Sequence, residues 1–202
     1  MAPGSQDSDQ QAWIVRHGQT EWSLSERHTG RTDVPLTEAG REQAASLKGY
    51  LAGHRFVRVL VSPYKRALET CHLAGFGSLA ETTEDLSEWD YGSYEGRTTR
   101  DIRGERPGWS LWTDGAPNGE EAAEVGGRID RVVELVRSTP GDVVLFGHGH
   151  SLRVFAARWL GLPPDAGRLF ALSTCTVGVL GYEREIPVML RWNDQAEGRG
   201  PH

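Results

Sequence analysis

The chain reads as an α/β domain with a mostly parallel sheet. Three short runs rich in β-branched residues, Trp13–Val15, Val57–Val61 and Val143–Phe146, have the length and character of buried strands. Apolar residues at helical spacing fill the stretches between them, the alternation that produces parallel sheets. Each run also stops abruptly at residues suited to an anion, and open α/β sheets bind ligands just beyond the carboxyl ends of their strands.

Trp13–Val15 is the first strand and delivers Arg16-His17-Gly18 to its end. Thr37 is placed to cap a helix carrying Ala44, Leu47 and Leu51 on one face. Val57–Val61 leads directly into a helix over Pro63 to Ala74, with proline near the first turn, where its missing N–H costs nothing. Val125, Ile129, Val132, Val133 and Val136 define an amphipathic helix. After Val143–Phe146, Leu152, Phe155, Ala156, Trp159 and Leu160 define another, which starts near Ser151 and ends at Gly161. Val177–Tyr182 and Pro187–Trp192 read as later strands. The segment from Tyr91 to Gly119 is rich in glycine and too long for an ordinary connection, as lids and binding loops often are.

Length and charge narrow the function. The 202 residues fit one domain, expected over 12–193 with a lid-like insertion at about 92–119 and frayed ends at 1–11 and 194–202. Twenty-two basic and 28 acidic residues give a net charge of −6. That argues against nucleic acid, which asks for a basic face, so an anionic ligand has to meet local arginines. No apolar run approaches the roughly 20 residues of a membrane span. Residues 1–11 are polar, without the basic and apolar regions of a secretory signal. Cys71 and Cys175 make no metal-ligand spacing and read as reduced, buried thiols. The expectation is a cytoplasmic protein without nucleic-acid or membrane partners. A homodimer is the commonest assembly for such a chain.

Four clusters carry the chemistry. His17 between Arg16 and Gly18 reads as a nucleophile beside a phosphate clamp. Its aim requires one ring nitrogen to donate to an oxygen while the other faces phosphorus. Arg66, in the first turn after Ser62-Pro63, reads as a second phosphate ligand, and Lys65 as a surface residue. In Gly147-His148-Gly149-His150-Ser151, one histidine binds phosphate; His148, nearer the strand end, is favoured. A zinc site of His17, His148 and His150 lacks a carboxylate or cysteine to complete it. Phosphoryl transfer to histidine also needs a proton donor for the leaving oxygen, and Glu88, Asp90 and Glu95 all qualify locally.

Together these clusters resemble the histidine phosphatase superfamily, on its phosphoglycerate-mutase-like branch, from about Trp13 to Trp192. The match rests on Arg16-His17-Gly18, on Thr29-Gly30 followed by Pro35-Leu36-Thr37-Glu38-Ala39-Gly40, and on Ser62-Pro63 with Arg66-Ala67 and Thr70. Glu88 with Tyr91-Gly92, and Gly147-His148-Gly149, complete it. The resemblance implies a three-layer α/β/α fold with a mixed, mainly parallel sheet. It makes His17 the phosphorylated nucleophile and Glu88 the proton donor, with Arg16, Arg66 and His148 holding the phosphoryl oxygens. Ser23, Thr29, Gly30 and Tyr91 would line the site, with no metal or diffusible cofactor.

Trp89 stands where mutases of this type carry arginine, and the long basic lid of those enzymes is absent. The stretch from Glu88 to Gly96, Asn118-Gly119-Glu120 and the run from Gly147 to Arg153 are instead similar to small acid phosphatases and sedoheptulose-1,7-bisphosphatase-like enzymes. The expected activity is hydrolysis of a small phosphomonoester, with sugar phosphates foremost. Mutase-type transfer and a non-catalytic phosphate- or partner-binding module are the alternatives. Arg97, Arg100, Arg103 and Arg106 either line a helix face in solvent or grip a second anionic group, and Trp89, Trp109 and Trp112 either pack the core or close a sugar pocket.

Overall fold

The computed structural model describes residues 10–195. Its strands are β1 (Ala12–Arg16), β2 (Arg58–Val61), β3 (Ala80–Thr82), β4 (Val143–Gly147), β5 (Thr176–Glu183) and β6 (Ile186–Gln195). Its α-helices are α1 (Glu21–Leu24), α2 (Glu38–Leu51), α3 (Lys65–Leu73), α4 (Thr99–Glu105), α5 (Leu111–Asp114), α6 (Ala122–Ser138) and α7 (Gly149–Trp159). The six strands form one mixed sheet in the order β3-β2-β4-β1-β5-β6. β1, β2, β3 and β4 run parallel, and β5 and β6 close one side antiparallel.

Alternation along each strand divides the core. Ala12, Ile14, Leu60, Val143 and Leu145 face α6 and α7, meeting Ile129, Val133, Phe155 and Trp159. Trp13, Val15, Val59, Val61, Val144 and Phe146 face α2 and α3, meeting Ala44, Leu47, Leu51 and Ala67. Burial on both faces is why these strands read as unbroken apolar runs. β1, β2 and β4 are in register, with Arg16 beside Gly147 and Val61 beside Phe146. Their carboxyl ends therefore deliver Arg16-His17, Ser62 and His148 to one edge of the sheet.

Several expectations change. Gln10 and Gln11 are not frayed: the Gln10 amide donates to the carbonyls of Val136 and Thr139, and the Gln11 N–H donates to Asp142 at 2.8 Å. Asp194 and Gln195 are held in β6, opposite Val177 and Thr176. The rest of both expected tails lies outside the described residues. α7 starts at Gly149, two residues before Ser151, because His148 already stands in extended geometry as its N-cap. β3 is an additional, short strand. The segment 92–119 folds into α4 and α5 and buries Ile102, Trp109 and Leu111 in the core.

Candidate active site

His17 leaves β1 with its N–H donating to the Gly147 carbonyl at 3.0 Å, and the next amide, Gly18, donates to Thr70 Oγ1 at 3.0 Å. The residue is 4% exposed. Nδ1 lies 2.7 Å from the Gly18 carbonyl, which can only accept, so Nδ1 carries the hydrogen. Nε2 keeps a lone pair and has no protein partner among the described residues. Burial first, then the Arg66 and Arg16 guanidiniums, hold the imidazole well below its ordinary pKa. At neutral pH the ring is therefore an uncharged base with one nitrogen free, the form that a nucleophile requires.

The loop bearing His17 is fixed by close backbone packing on α2. A Cβ at Gly18 would sit 2.4 Å from the Gly40 carbonyl oxygen, and one at Gly40 would sit 2.2 Å from that of Gln19. Thr37 caps α2 through the Gly40 amide at 3.0 Å, and its own N–H donates to the Gln19 carbonyl at 2.9 Å.

The two arginines differ. Arg16 donates from Nη1 to the Leu172 carbonyl, while its Nε is buried with no partner among the described residues. Its guanidinium lies over Gly149, where a Cβ would stand 3.3 Å from Cζ. Arg66 is fully buried and mostly engaged: Nε meets His148 Nδ1 at 3.1 Å, Nη1 the Thr32 carbonyl at 3.0 Å, and Nη2 the carbonyls of Thr29 and Gly30 at 3.1 and 2.9 Å. His148 Nε2 pairs with Ser62 Oγ at 2.7 Å. Because Arg66 can only donate, Nδ1 accepts and Nε2–H donates to the serine. The rings of His17 and His148 meet edge to face at 5.2 Å.

Glu88 sits at the start of α7. Its Oε1 accepts from the amides of Trp89 and Ser151, both at 2.9 Å, and its Oε2 from the His150 amide at 3.0 Å. First-turn amides have no partner within a helix, so α7 offers them to this carboxylate. The Ser151 hydroxyl is buried without a partner among the described residues. Asp90 and Glu95 have other tasks. Asp90 pairs with Arg31 at 2.9 Å and accepts the Gly92 amide, while Glu95 accepts the amides of Gly30 and Thr32. Tyr91, nearly inaccessible, places its hydroxyl 2.7 Å from His150 Nδ1 and lies tilted against the His28 ring, centroids 4.7 Å apart. Burial pushes the Tyr91 phenol well up and the His150 imidazole well down.

The expected site residues thus divide. Arg16, His17, Arg66, His148 and Glu88 share one edge of the sheet; Thr29 and Gly30 reach it through their carbonyls, and Tyr91 through His150. Ser23 forms a reciprocal cap with Thr20 at the start of α1. Arg97 pairs with Glu105 and Arg106 with Asp114, Arg103 donates to the Trp109 carbonyl, and Arg100 is exposed. Lys65 lies at the surface, 3.9 Å from Asp33. Trp89 and Trp109 are core residues, and Trp112 is half-buried against the His150 ring at 5.2 Å.

Sequence reading missed the Leu172 carbonyl, a backbone group that carries no signal, and His28, whose place just before Thr29-Gly30 was a usable one. Among the described residues no cluster of three or more His, Cys, Asp or Glu side chains is arranged for a metal ion, and no helix is long and apolar enough to cross a membrane.

Known proteins resemble this chain in sequence and in fold. An acid phosphatase of Mycobacterium tuberculosis is 44% identical over 178 residues, covering 86% of this chain and 87% of that one. A sedoheptulose 1,7-bisphosphatase of Saccharomyces cerevisiae is 37% identical over 183 residues, covering 74% and 67%. The solved structure of an open reading frame product of Mycobacterium tuberculosis superimposes with a TM-score of 0.90 at 39% identity, covering 94% of this chain and all of that one. The family model of the histidine phosphatase superfamily (branch 1) matches residues 12–195, and the chain belongs to that superfamily.

Proposed function

We propose that the protein hydrolyses small phosphomonoesters, sugar phosphates among them, through a phosphohistidine at His17. The observation that carries this reading is the His17 ring, locked by Gly18 and kept neutral by burial and by the Arg66 and Arg16 guanidiniums, with Nε2 unpartnered among the described residues. In the first step Nε2 attacks phosphorus as the P–O ester bond breaks, and Glu88, which enters the cycle protonated, gives its proton to the departing alkoxide and is left as the carboxylate. In the second, Glu88 takes a proton from water, whose oxygen displaces the imidazole and releases phosphate. Arg16, with its buried Nε unpaired, supplies donors to the phosphoryl oxygens. Arg66 adds charge and is held in place by His148 and by the carbonyls of Thr29, Gly30 and Thr32.

The active unit is the single domain of residues 12–193, with a lid-like insertion at about 92–119 that packs Ile102, Trp109 and Leu111 into the core. The relatives named as an acid phosphatase and a sedoheptulose bisphosphatase support the hydrolytic reading. Mutase-type transfer is disfavoured by Trp89, whose indole is buried and donates to the Glu120 carbonyl, leaving no cation next to Glu88 in the chain. A cytoplasmic setting fits the two buried, unpaired thiols of Cys71 and Cys175.

The test is phosphate release from a panel of esters by wild type and His17→Ala, with isomer formation on 3-phosphoglycerate measured in parallel. Release that disappears with His17 supports hydrolysis. Isomer formation without release favours the mutase, and tight phosphate binding with neither activity favours the binding module.

A further inference from the structure

Building on this hydrolytic reading, we infer that His150 selects the leaving group, donating a hydrogen bond from Nε2 to a hydroxyl oxygen near the ester carbon. Three observations carry the inference.

The first is the tautomer. Tyr91 is buried, and its hydroxyl has one partner among the described residues, His150 Nδ1 at 2.7 Å. If Nδ1 carried a hydrogen, the phenolic proton would be buried without an acceptor, which costs about 1–3 kcal/mol. The phenol therefore donates, Nδ1 accepts, and the ring hydrogen resides on Nε2. Nε2–H has no partner among the described residues and is not one of the buried unpaired atoms, so it keeps access to solvent.

The second is position. His150 Nδ1 lies 3.9 Å from Glu88 Oε2, and its backbone amide holds that same oxygen at 3.0 Å. A group protonated by Glu88 as it departs is therefore next to the His150 ring.

The third is the surroundings. Trp89, Tyr91 and Trp112 pack around His150 with ring centroids 5.2–6.2 Å away. A neutral N–H donor among aromatic rings suits a hydroxylated carbon skeleton, which presents C–H faces and acceptor oxygens together. The cavity of about 390 Å³ that also borders Glu88 offers less, since its arginines pair with its own acids, Arg31 with Asp90 and Arg128 with Glu120.

The experiment compares kcat/KM for glycerol 1-phosphate and propyl phosphate, which differ in the leaving group's hydroxyls. Wild type should prefer the glycerol ester about tenfold, the worth of one neutral hydrogen bond. His150→Phe should bring the ratio near one, and His150→Gln, which keeps an N–H donor, should preserve part of it. A ratio unchanged in His150→Phe would overturn the inference, as would a wild type that cleaves both esters equally, a result that needs no variant to fold. Cleavage of neither ester, nor of any other in the panel, would instead overturn the phosphatase reading beneath it.

Discussion

Arg66 Nε donates to His148 Nδ1 at 3.1 Å, so the second histidine of the site has no free ring nitrogen: Ser62 accepts from the other. Burial, then Arg66 and His17, hold the His148 pKa well below its usual value, so the ring stays neutral and accepts from the arginine. In the proposed reaction His148 would then act chiefly by positioning Arg66. Vanadate affinity measured calorimetrically should fall at least tenfold in His148→Ala and about threefold in Ser62→Ala. The double variant His148→Ala/Arg66→Ala should bind no more weakly than Arg66→Ala alone, because residues acting as a unit are not additive. Fully additive losses would mean that His148 grips the anion independently.

Glu88→Gln should lower kcat by about 10²–10⁴ for alkyl phosphates, the usual worth of a general acid. The loss should be smaller for p-nitrophenyl phosphate, whose leaving group departs without a proton. Because three N–H groups converge on the carboxylate, the amide's own N–H₂ meets donors, so a thermal melt belongs with the kinetics. Equal losses on both esters would count against Glu88 as the proton donor.

Acid should destabilise the fold through its buried histidines. Burial lowers the His28 pKa from 6.5 to about 4. The unfolded chain takes up a proton near pH 6.5 that the native chain refuses until about pH 4. Stability is therefore whole above pH 6.5 and falls as pH drops toward 4, by roughly 3 kcal/mol for this residue alone. His17, His148 and His150 are shifted in the same direction. Urea unfolding at pH 7, 5.5 and 4.5 measures the slope. A His28→Phe protein should show a shallower one, and an unchanged slope would remove His28 from the explanation.

Two glycines of α2 should respond oppositely to alanine. At Gly40 the new methyl meets the Gln19 carbonyl oxygen at 2.2 Å, and the clash should cost about 1–3 kcal/mol. At Gly49 nothing lies within 4 Å, so alanine should add about 0.5–1 kcal/mol through helix propensity. Denaturant midpoints of both variants decide this. A stabilised Gly40→Ala would show that the contact with the His17 loop is slack.

The parts of this protein that were legible in its sequence are those defined by local pattern. β1, β2 and β4 are buried on both faces and so appear as apolar runs, and Thr37 caps α2 from its place before the first turn. β3 was not legible: Ala80-Glu81-Thr82 is short, largely exposed and paired only with β2. Arg16, His17 and Gly18 stand adjacent in the chain, so their chemistry could be read directly. The Tyr91–His150 bond joins residues 59 apart, and its effect on the tautomer exists only in three dimensions. Ser23 shows the opposite case. A hydroxyl near a phosphate motif also suits a helix cap, and local geometry gave it to Thr20.

The most direct measurement is rapid acid-free quenching of the enzyme with a cleavable phosphomonoester, followed by peptide mass spectrometry under alkaline conditions. A phosphoryl group on the peptide containing His17, formed and lost at rates matching turnover and missing from His17→Ala, is the predicted result. Full turnover by His17→Ala, or phosphate carried on a different residue, would contradict the phosphohistidine mechanism.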